Sequence, residues 1–287
     1  MAGPAGAVDV AVVGGGAAGL MAAIQAARRG RRTILLEKNE RPGLKIRISG
    51  GGRCNLTTTR EGQDLEAQYG TRRGRWLRHA LRSFPPSALR AFVEQAGVPL
   101  REEDLEKLFP VSQRAQDVVD ALLGLCDEAG VELWRAAPLV ELARDGERFR
   151  LATPRGALVA SRVVLATGGL SYPKTGATGD GYGFCRAFGH TITATFPALA
   201  PLSIDAPWVH ELQGIVLHGV DLACIDAGGR ETLRRRRPIL FTHKGLSGPA
   251  PMDLAGEVEE QRGRAEVGSD LDPDSTSQAL EVDWLSA

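Results

Sequence analysis

The apolar positions of this chain fall into two textures that change near residue 190. Before that point, short apolar runs alternate with stretches of helical periodicity. Asp9 to Val13 reads as a strand buried on both faces, Ala17 to Arg28 as an alanine-rich helix ending at Gly30, and Thr33 to Leu36 as a second strand. Trp76 to Phe84 and Ser87 to Ala96 read as two helices separated by Pro85 and Pro86, with Ser87 as the amino-terminal cap of the second. Val118, Val119, Leu122 and Leu125 recur at helical spacing, which predicts a helix from Ala115 to Ala129, ended by Gly130 and followed by a strand at Val131 to Trp134. Leu139 to Ala143, Arg148 to Thr153 and Ala157 to Leu165 read as successive strands, with Asp145-Gly146 as a hairpin signal, and predict a small antiparallel sheet. From Thr191 onward the apolar runs are short and β-like, at Ile215 to Leu217, Val220 to Cys224 and Ile239 to Phe241. The pattern predicts an α/β domain and a second, β-rich one.

The turn between the first strand and the first helix carries chemistry. Gly14, Gly16 and Gly19 stand in Val12-Val13-Gly14-Gly15-Gly16-Ala17-Ala18-Gly19-Leu20, and Glu37 closes the second strand. This is the spacing of a dinucleotide-binding fingerprint. Gly14 permits a tight turn, Gly16 lets backbone approach a pyrophosphate, and Gly19 allows helix and strand to pack closely. The helix amino terminus offers unpaired N–H groups, and Glu37 is placed to accept hydrogen bonds from an adenosine ribose. Two further glycine-rich turns follow. Residues 42–55 contain Ser49-Gly50-Gly51-Gly52-Arg53-Cys54-Asn55, too glycine-rich for a helix and suited to lying against a ligand. Ala166-Thr167-Gly168-Gly169 leaves the carboxyl end of a predicted parallel strand, the edge where open α/β sheets bind ligands. Asp180, in Thr178-Gly179-Asp180-Gly181, sits at the start of a helix predicted over Tyr182 to Phe188, where it suits a cap or a ligand contact.

Composition narrows the classes. The 287 residues are 43% hydrophobic, enough for one cofactor domain and part of another. Thirty-five basic side chains balance thirty-five acidic ones, so overall charge gives no argument for nucleic acid or an anionic membrane, and neither is expected as a partner. The run Arg234 to Arg237 reads as a solvated turn or strand edge. Cys54, Cys126, Cys185 and Cys224 lie far apart, without metal-ligand spacing, and are expected to be reduced thiols. No apolar run approaches the ~18 residues of a membrane span, and a cytoplasmic location follows as the default expectation.

Taken together, the Gly14–Gly19 fingerprint, Glu37-Lys38, Ser49 to Asn55, Ala166 to Gly169 with Thr178 to Tyr182, and Phe241-Thr242-His243-Lys244-Gly245-Leu246-Ser247-Gly248-Pro249 resemble a bacterial family of FAD-binding, NAD(P)-type oxidoreductases. That family includes aminoacetone oxidases and an unsaturated oxo-bile-acid reductase, and the resemblance covers residues 8–254. It implies a Rossmann-like FAD-binding domain over 1–190 and part of a β-rich substrate domain over 191–254. Gly14, Gly16, Ala18 and Gly19 would face the pyrophosphate, Glu37 and Lys38 the ribose, and the backbone near Val140 the adenine. Lys45, Ser49, Gly50, Gly51 and Arg53, with Ala166, Thr167 and Gly168, would lie toward the flavin, oriented in part by Asp180. Flavin carries the redox chemistry itself, so the chain need supply only position, electrostatics and one proton. Tyr172 and His243 are the nearest proton donors, NAD(P)H the expected electron donor, and a small molecule the expected substrate. A nucleotide-binding module without turnover is the competing class. The resemblance also implies a longer chain, so residues 255–287, rich in acid and poor in apolar side chains, are expected to be a poorly ordered tail on a truncated enzyme, with a short helix or strand near Ala279 to Leu285 as the alternative.

Overall fold

The strand β1 (Ala5–Val13) lies at the middle of the first unit's sheet, paired in parallel with β2 (Thr33–Leu36) on one side and β9 (Gly156–Leu165) on the other. In this computed structural model, which describes residues 5–226, 228–268 and 279–283, the chain divides into two units, Met1–Ile192 and Thr193–Ala287. The sheet of the first unit runs β6-β2-β1-β9-β8-β7, with β6 (Glu132–Trp134) parallel to β2. The hairpin β7 (Glu141–Asp145) and β8 (Arg148–Thr153) is antiparallel to β9. The predicted antiparallel strands are present, and they extend the parallel sheet. The cause is the length of β9, which pairs with β1 along one edge and β8 along the other, so that Ala160 faces both Val8 and Phe149.

Alternating side chains of β1 and β2 go to opposite faces, as the strand period of two requires. Val12 and Leu35 join Leu20, Ala23 and Ile24 of α1 (Ala17–Arg28) and Val118, Val119 and Leu122 of α6 (Ala115–Glu128). Ala11, Val13, Ile34 and Leu36 join Trp134, Leu151 and Leu158 on the other face. Each fully buried leucine or isoleucine here contributes roughly 1.5–3 kcal/mol by leaving water.

Between β2 and α6 the chain is more ordered than its glycine content predicted. Residues 44–48 form the short helix α2 (Leu44–Ile48), which Gly43 starts from a left-handed backbone, and a tight turn at Ser49–Gly52 with left-handed glycines follows. Ile46 anchors this segment in the core. Next come β3 (Thr57–Thr58), α3 (Gly62–Gln68), α4 (Gly70–Ser83) and α5 (Pro86–Gln95), then β4 (Leu100–Glu103) and β5 (Lys107–Pro110), which join β3 in a three-stranded sheet. Ser87 is not the cap of α5. That helix starts one residue earlier, at Pro86, and the Ser87 N–H donates to Glu61 Oε1 at 2.9 Å. The helix α7 (Asp180–Ala187) closes the unit.

The second unit has a four-stranded sheet, β10 (Leu202–Ser203), β15 (Gly245–Ser247), β14 (Ile239–Thr242) and β11 (Val216–Leu217), with α8 (Pro207–Glu211) packed on it. A three-stranded sheet pairs β12 (Asp221–Ile225) with β13 (Glu231–Arg236) and β16 (Ala279–Asp283). The segment expected to be a poorly ordered tail is in part structured. The helix α9 (Pro249–Gly268) runs through its first half, because Ala250, Leu254, Ala255 and Val258 form a buried stripe at helical spacing across the expected boundary at 254. Its second half supplies β16, while residues 269–278, which include the polar Ser269–Ser277 stretch, lie outside the described residues. The arginine run is a strand with its charges answered. Arg234 and Arg236 reach Asp221 of β12, at 3.9 and 3.6 Å, and Arg235 and Arg237 reach Asp253 of α9, at 4.0 and 2.7 Å.

Candidate functional site

A cavity of about 470 Å³ opens in the first unit at the carboxyl ends of β1, β2 and β9. Residues 13–18, 36–39 and 166–168 form its rim, and this is the sheet edge at which α/β folds bind ligands.

The fingerprint glycines divide into two kinds. A Cβ on Gly14 would stand 2.4 Å from the Ala166 carbonyl oxygen, and one on Gly19 would stand 1.7 Å from that of Gly14. Those two positions exist to bring β1, α1 and the β9 turn together. Gly16 differs, since a Cβ there would meet nothing within 4 Å, and it faces the cavity. Gly15, which the fingerprint leaves unspecified, is also crowded, with Glu37 and Pro42 against it.

Glu37 is buried, at 6% exposure. Its Oε2 accepts the Gly15 N–H at 2.7 Å, and its Oε1 accepts the backbone and side-chain N–H groups of Asn39 at 2.8 and 2.7 Å. A carboxylate has about four acceptor positions. Three are used within the chain, which fixes the rotamer and leaves capacity for a further donor such as a ribose hydroxyl.

Across the rim, Lys38 Nζ donates to Thr178 Oγ1 at 2.6 Å and to Asp180 Oδ2 at 2.7 Å, and the Thr178 hydroxyl donates to Asp180 Oδ1 at 2.7 Å. The Lys38 bond, helped by Thr178, holds the Asp180 carboxyl below its usual range. Asp180 is thus the first helical residue of α7 with its side chain tied to Lys38, while Gly179 takes the cap position. Lys45 lines the cavity and donates to the Ser171 carbonyl at 2.8 Å. Ser49 lines it too, its hydroxyl donating to the Ile46 carbonyl at 2.8 Å. Cys54 borders the same space, and burial pushes its thiol up, keeping it neutral.

Ala18, Ala166, Thr167 and Gly168 complete the set of expected residues found on the wall. Others lie off it. Gly19, Gly50, Gly51, Arg53, Val140 and Tyr172 are not among the lining residues. The Arg53 guanidinium is committed elsewhere: it donates to Glu103 at 2.8 Å and Gln113 at 2.9 Å and stacks 4.2 Å over the Phe109 ring. The Val140 N–H pairs with the Ala152 carbonyl at 2.9 Å, and its side chain is 66% exposed. Tyr172 is 67% exposed, in a left-handed turn. His243 belongs to the second unit, exposed in the turn joining β14 and β15. Sequence reasoning missed Asn39 and Thr178, which hold Glu37 and Asp180, and the apolar wall of Leu89, Val93, Val118 and Leu122. The helical periodicity of α6 marked its two wall residues as core, but no local signal marks a core side chain as facing a cavity.

No helix among the described residues is long and apolar enough to cross a membrane. Residues 8–246 match the family model described as HI0933-like protein Rossmann domain. Among curated proteins, the chain is 33% identical over 247 residues to the ribosomal RNA dihydrouridine synthase of Escherichia coli K12, covering 86% of this chain and 60% of that one. It is 28% identical to the protein of the same name from Haemophilus influenzae, over 85% of this chain and 60% of the relative. The 3-dehydro-bile acid delta(4,6)-reductase of Clostridium scindens is 30% identical, over 68% of this chain and 47% of its own length. The chain therefore spans about 60% of the length of the first curated relatives it matches. Among solved structures, the open conformation of a flavocytochrome c3 fumarate reductase aligns with a TM-score of 0.49 at 18% identity, over 76% of this chain and 48% of that one. The fingerprint, its cavity and the extent of the match place this chain in the HI0933-like Rossmann family of FAD-binding proteins.

Proposed function

We propose that this chain binds FAD at the β1, β2 and β9 edge and serves the reduction of a carbon–carbon double bond in a ring substrate, with uridine in ribosomal RNA as the substrate class. The observation that carries the cofactor assignment is the cavity wall itself. Gly16 presents backbone to open space, and Glu37, held rigid by Gly15 and Asn39, keeps an acceptor position unused. These features fit a pyrophosphate and a ribose hydroxyl. The reaction class is supported by what the relatives' names share. Dihydrouridine is uridine with two hydrogens added across a ring double bond, and a delta(4,6)-reductase also saturates ring carbons. The RNA reading departs from the expectation drawn from overall charge neutrality.

Bound FAD would supply a two-electron relay, accepting a hydride from a nicotinamide donor and delivering it to one carbon of the double bond while a proton joins the other. The chain's own part is positional. Lys38, Thr178 and Asp180 tie the end of β2 to the start of α7, and Lys45 ties α2 to the turn after β9, so the rim is held before a ligand arrives. Preorganisation of this kind lowers the ordering cost of binding.

The test is to incubate the 287-residue chain with FAD, NADPH and unmodified ribosomal RNA, and to count dihydrouridine by nucleoside mass spectrometry. FAD binding with dihydrouridine formed is the expected result. FAD binding without dihydrouridine points to a small-molecule substrate or a binding module. No FAD binding overturns the reading.

A further inference from the structure

Charge balances over the whole chain but not locally. Helix α4, whose sequence is Gly-Thr-Arg-Arg-Gly-Arg-Trp-Leu-Arg-His-Ala-Leu-Arg-Ser, contains five arginines, a histidine and no acidic residue. The arginine run of β13 is answered by three carboxylates, Asp221, Glu231 and Asp253, so it offers little net charge to a partner. In helix α4, Arg78 and Arg82 share the single carboxylate of Glu66, and the helix has no acidic residue of its own, so it keeps a net positive charge. One face is anchored on α3: a Cβ at Gly74 would stand 2.2 Å from the Glu66 carbonyl oxygen, and the buried Glu66 carboxylate takes Arg78 at 2.8 Å and Arg82 at 2.7 Å. That anchoring turns the opposite face outward. Trp76 stands on it with 84% of its surface exposed, and Arg75, Leu77, His79 and Ala80 are exposed around it.

We propose that α4 is a docking surface for single-stranded RNA, on which a base stacks against Trp76 while the exposed Arg75 engages a phosphate. The inference rests on the RNA reading above and adds where the RNA is held. An exposed indole beside guanidinium groups is the combination single-stranded nucleic acid uses, because every base has a stacking face and every linkage a negative charge. The cations of α4 are all arginine with no lysine, and the planar guanidinium both forks onto phosphate and stacks on bases. An anionic membrane would select a broad apolar face under the charges, which Trp76 and Leu77 alone do not make. Ion pairing of Arg78 and Arg82 to Glu66 is a positional device here, since it fixes the rotation of the helix and with it the aim of Trp76.

The experiment uses the 287-residue chain and a fluorescent oligouridylate of about 16 nucleotides, followed by anisotropy at about 50 and 200 mM salt. Expected are RNA binding by the wild-type chain, weakened about tenfold or more by Trp76→Ala and largely rescued by Trp76→Phe, and a shallower salt dependence for Arg75→Gln. Circular dichroism and the FAD dissociation constant should be unchanged in all three, since these side chains are exposed and off the cavity. The proposal is overturned if the wild-type chain does not bind the oligonucleotide, or if Trp76→Ala and Arg75→Gln bind it as the wild type does. It is also overturned if these changes abolish binding to phosphatidylglycerol vesicles and leave RNA binding intact. The two readings fail separately. Dihydrouridine formed with an unchanged KM for RNA in the α4 variants removes the docking surface and keeps the reaction, whereas RNA held through Trp76 without dihydrouridine keeps the surface and removes the reaction.

Discussion

Two of the first unit's glycine-rich turns, at Gly14 and at Ser49–Asn55, look alike in sequence and use their glycines differently. In the Gly14 turn the glycines remove bulk. Gly14 and Gly19 let three backbones approach to distances a Cβ forbids, and the room so made leaves Gly16 facing open space. In the Ser49–Asn55 turn the glycines mainly supply conformation, and only Gly50 is also crowded, since a Cβ there would stand 2.6 Å from the Asn55 nitrogen. Gly50, Gly51 and Gly52 have φ of 55°, 68° and 86°, a left-handed sequence that returns the chain toward β5. Arg53 then locks that turn onto Glu103, Gln113 and Phe109, so the turn's ends, Ser49 and Cys54 to Asn55, border the cavity while its middle does not. A run of glycines reports an unusual backbone, and only the space around each missing Cβ tells whether a ligand or another strand is the reason.

The contrast is tested most severely at Gly19. Gly19→Ala places a methyl group 1.7 Å from the Gly14 carbonyl oxygen, so α1 must move from β1. Overpacking of this kind costs about 3 kcal/mol or more, and urea denaturation should show a large loss of stability together with loss of FAD binding. Gly16→Ala should fold normally, because its Cβ meets nothing, and should lose only FAD affinity. Equal stability of the two variants would mean that both glycines serve the ligand.

Glu37→Gln comes next. The amide keeps one oxygen acceptor but presents an NH2 to an N–H of Gly15 or Asn39 that the carboxylate now accepts. Replacing a charge-assisted bond costs about 1.5–3 kcal/mol, so FAD affinity should fall roughly tenfold to a hundredfold, with a parallel loss of stability in the apoprotein. A variant of normal stability and normal affinity would reduce Glu37 to a bystander.

Arg53→Leu sharpens the comparison from the other turn. It removes two hydrogen bonds and a cation–π contact in a half-exposed setting, so apoprotein stability should drop by about 1–2 kcal/mol. FAD affinity, measured by fluorescence titration, should stay within about twofold of wild type, because Arg53 does not line the cavity. A tenfold loss of affinity with unchanged stability would restore Arg53 to the ligand.

What could be read from the sequence follows the same physical division. β1, α1, β2 and α6 were legible because burial writes a period into their apolar residues, and the Gly14 fingerprint because a close approach admits only glycine. The helix α4 was legible only in its second half, since its amino-terminal turns are arginine, threonine and glycine without an apolar stripe, and β13 was legible only as a turn or strand edge, because its alternation is carried by arginines paired to Asp221 and Asp253. The continuation of α9 past residue 254 was obscured by its acidic outer positions, although Ala255 and Val258 prolong the buried stripe. For the site, residue types told which groups gather at the sheet edge. They did not tell that Glu37 and Asp180 are already bonded within the chain, which depends on Asn39, outside any motif, and on the hydroxyl of Thr178, a motif residue whose own role its type does not show.

The smallest expected effect is the dependence of the rim on pH. Lys38, 27% exposed, and Asp180, 41% exposed, join the end of β2 to the start of α7. The ammonium of Lys38 and the Thr178 hydroxyl hold the Asp180 carboxyl below its usual range in the folded chain. A carboxyl lowered on folding contributes stability that is fully present above its unfolded value of about 3.9 and is lost as pH falls through the lower folded value. Solvent screening limits such a pair to about 1 kcal/mol or less. Denaturant midpoints of the wild-type chain and Asp180→Asn should therefore differ slightly and constantly between pH 5 and 8 and converge below about pH 4. A gap that does not narrow as pH falls below about 4, or one that opens only there, would show that the Lys38 bond does not couple these two elements and that the rim is held by the Lys45 to Ser171 contact instead.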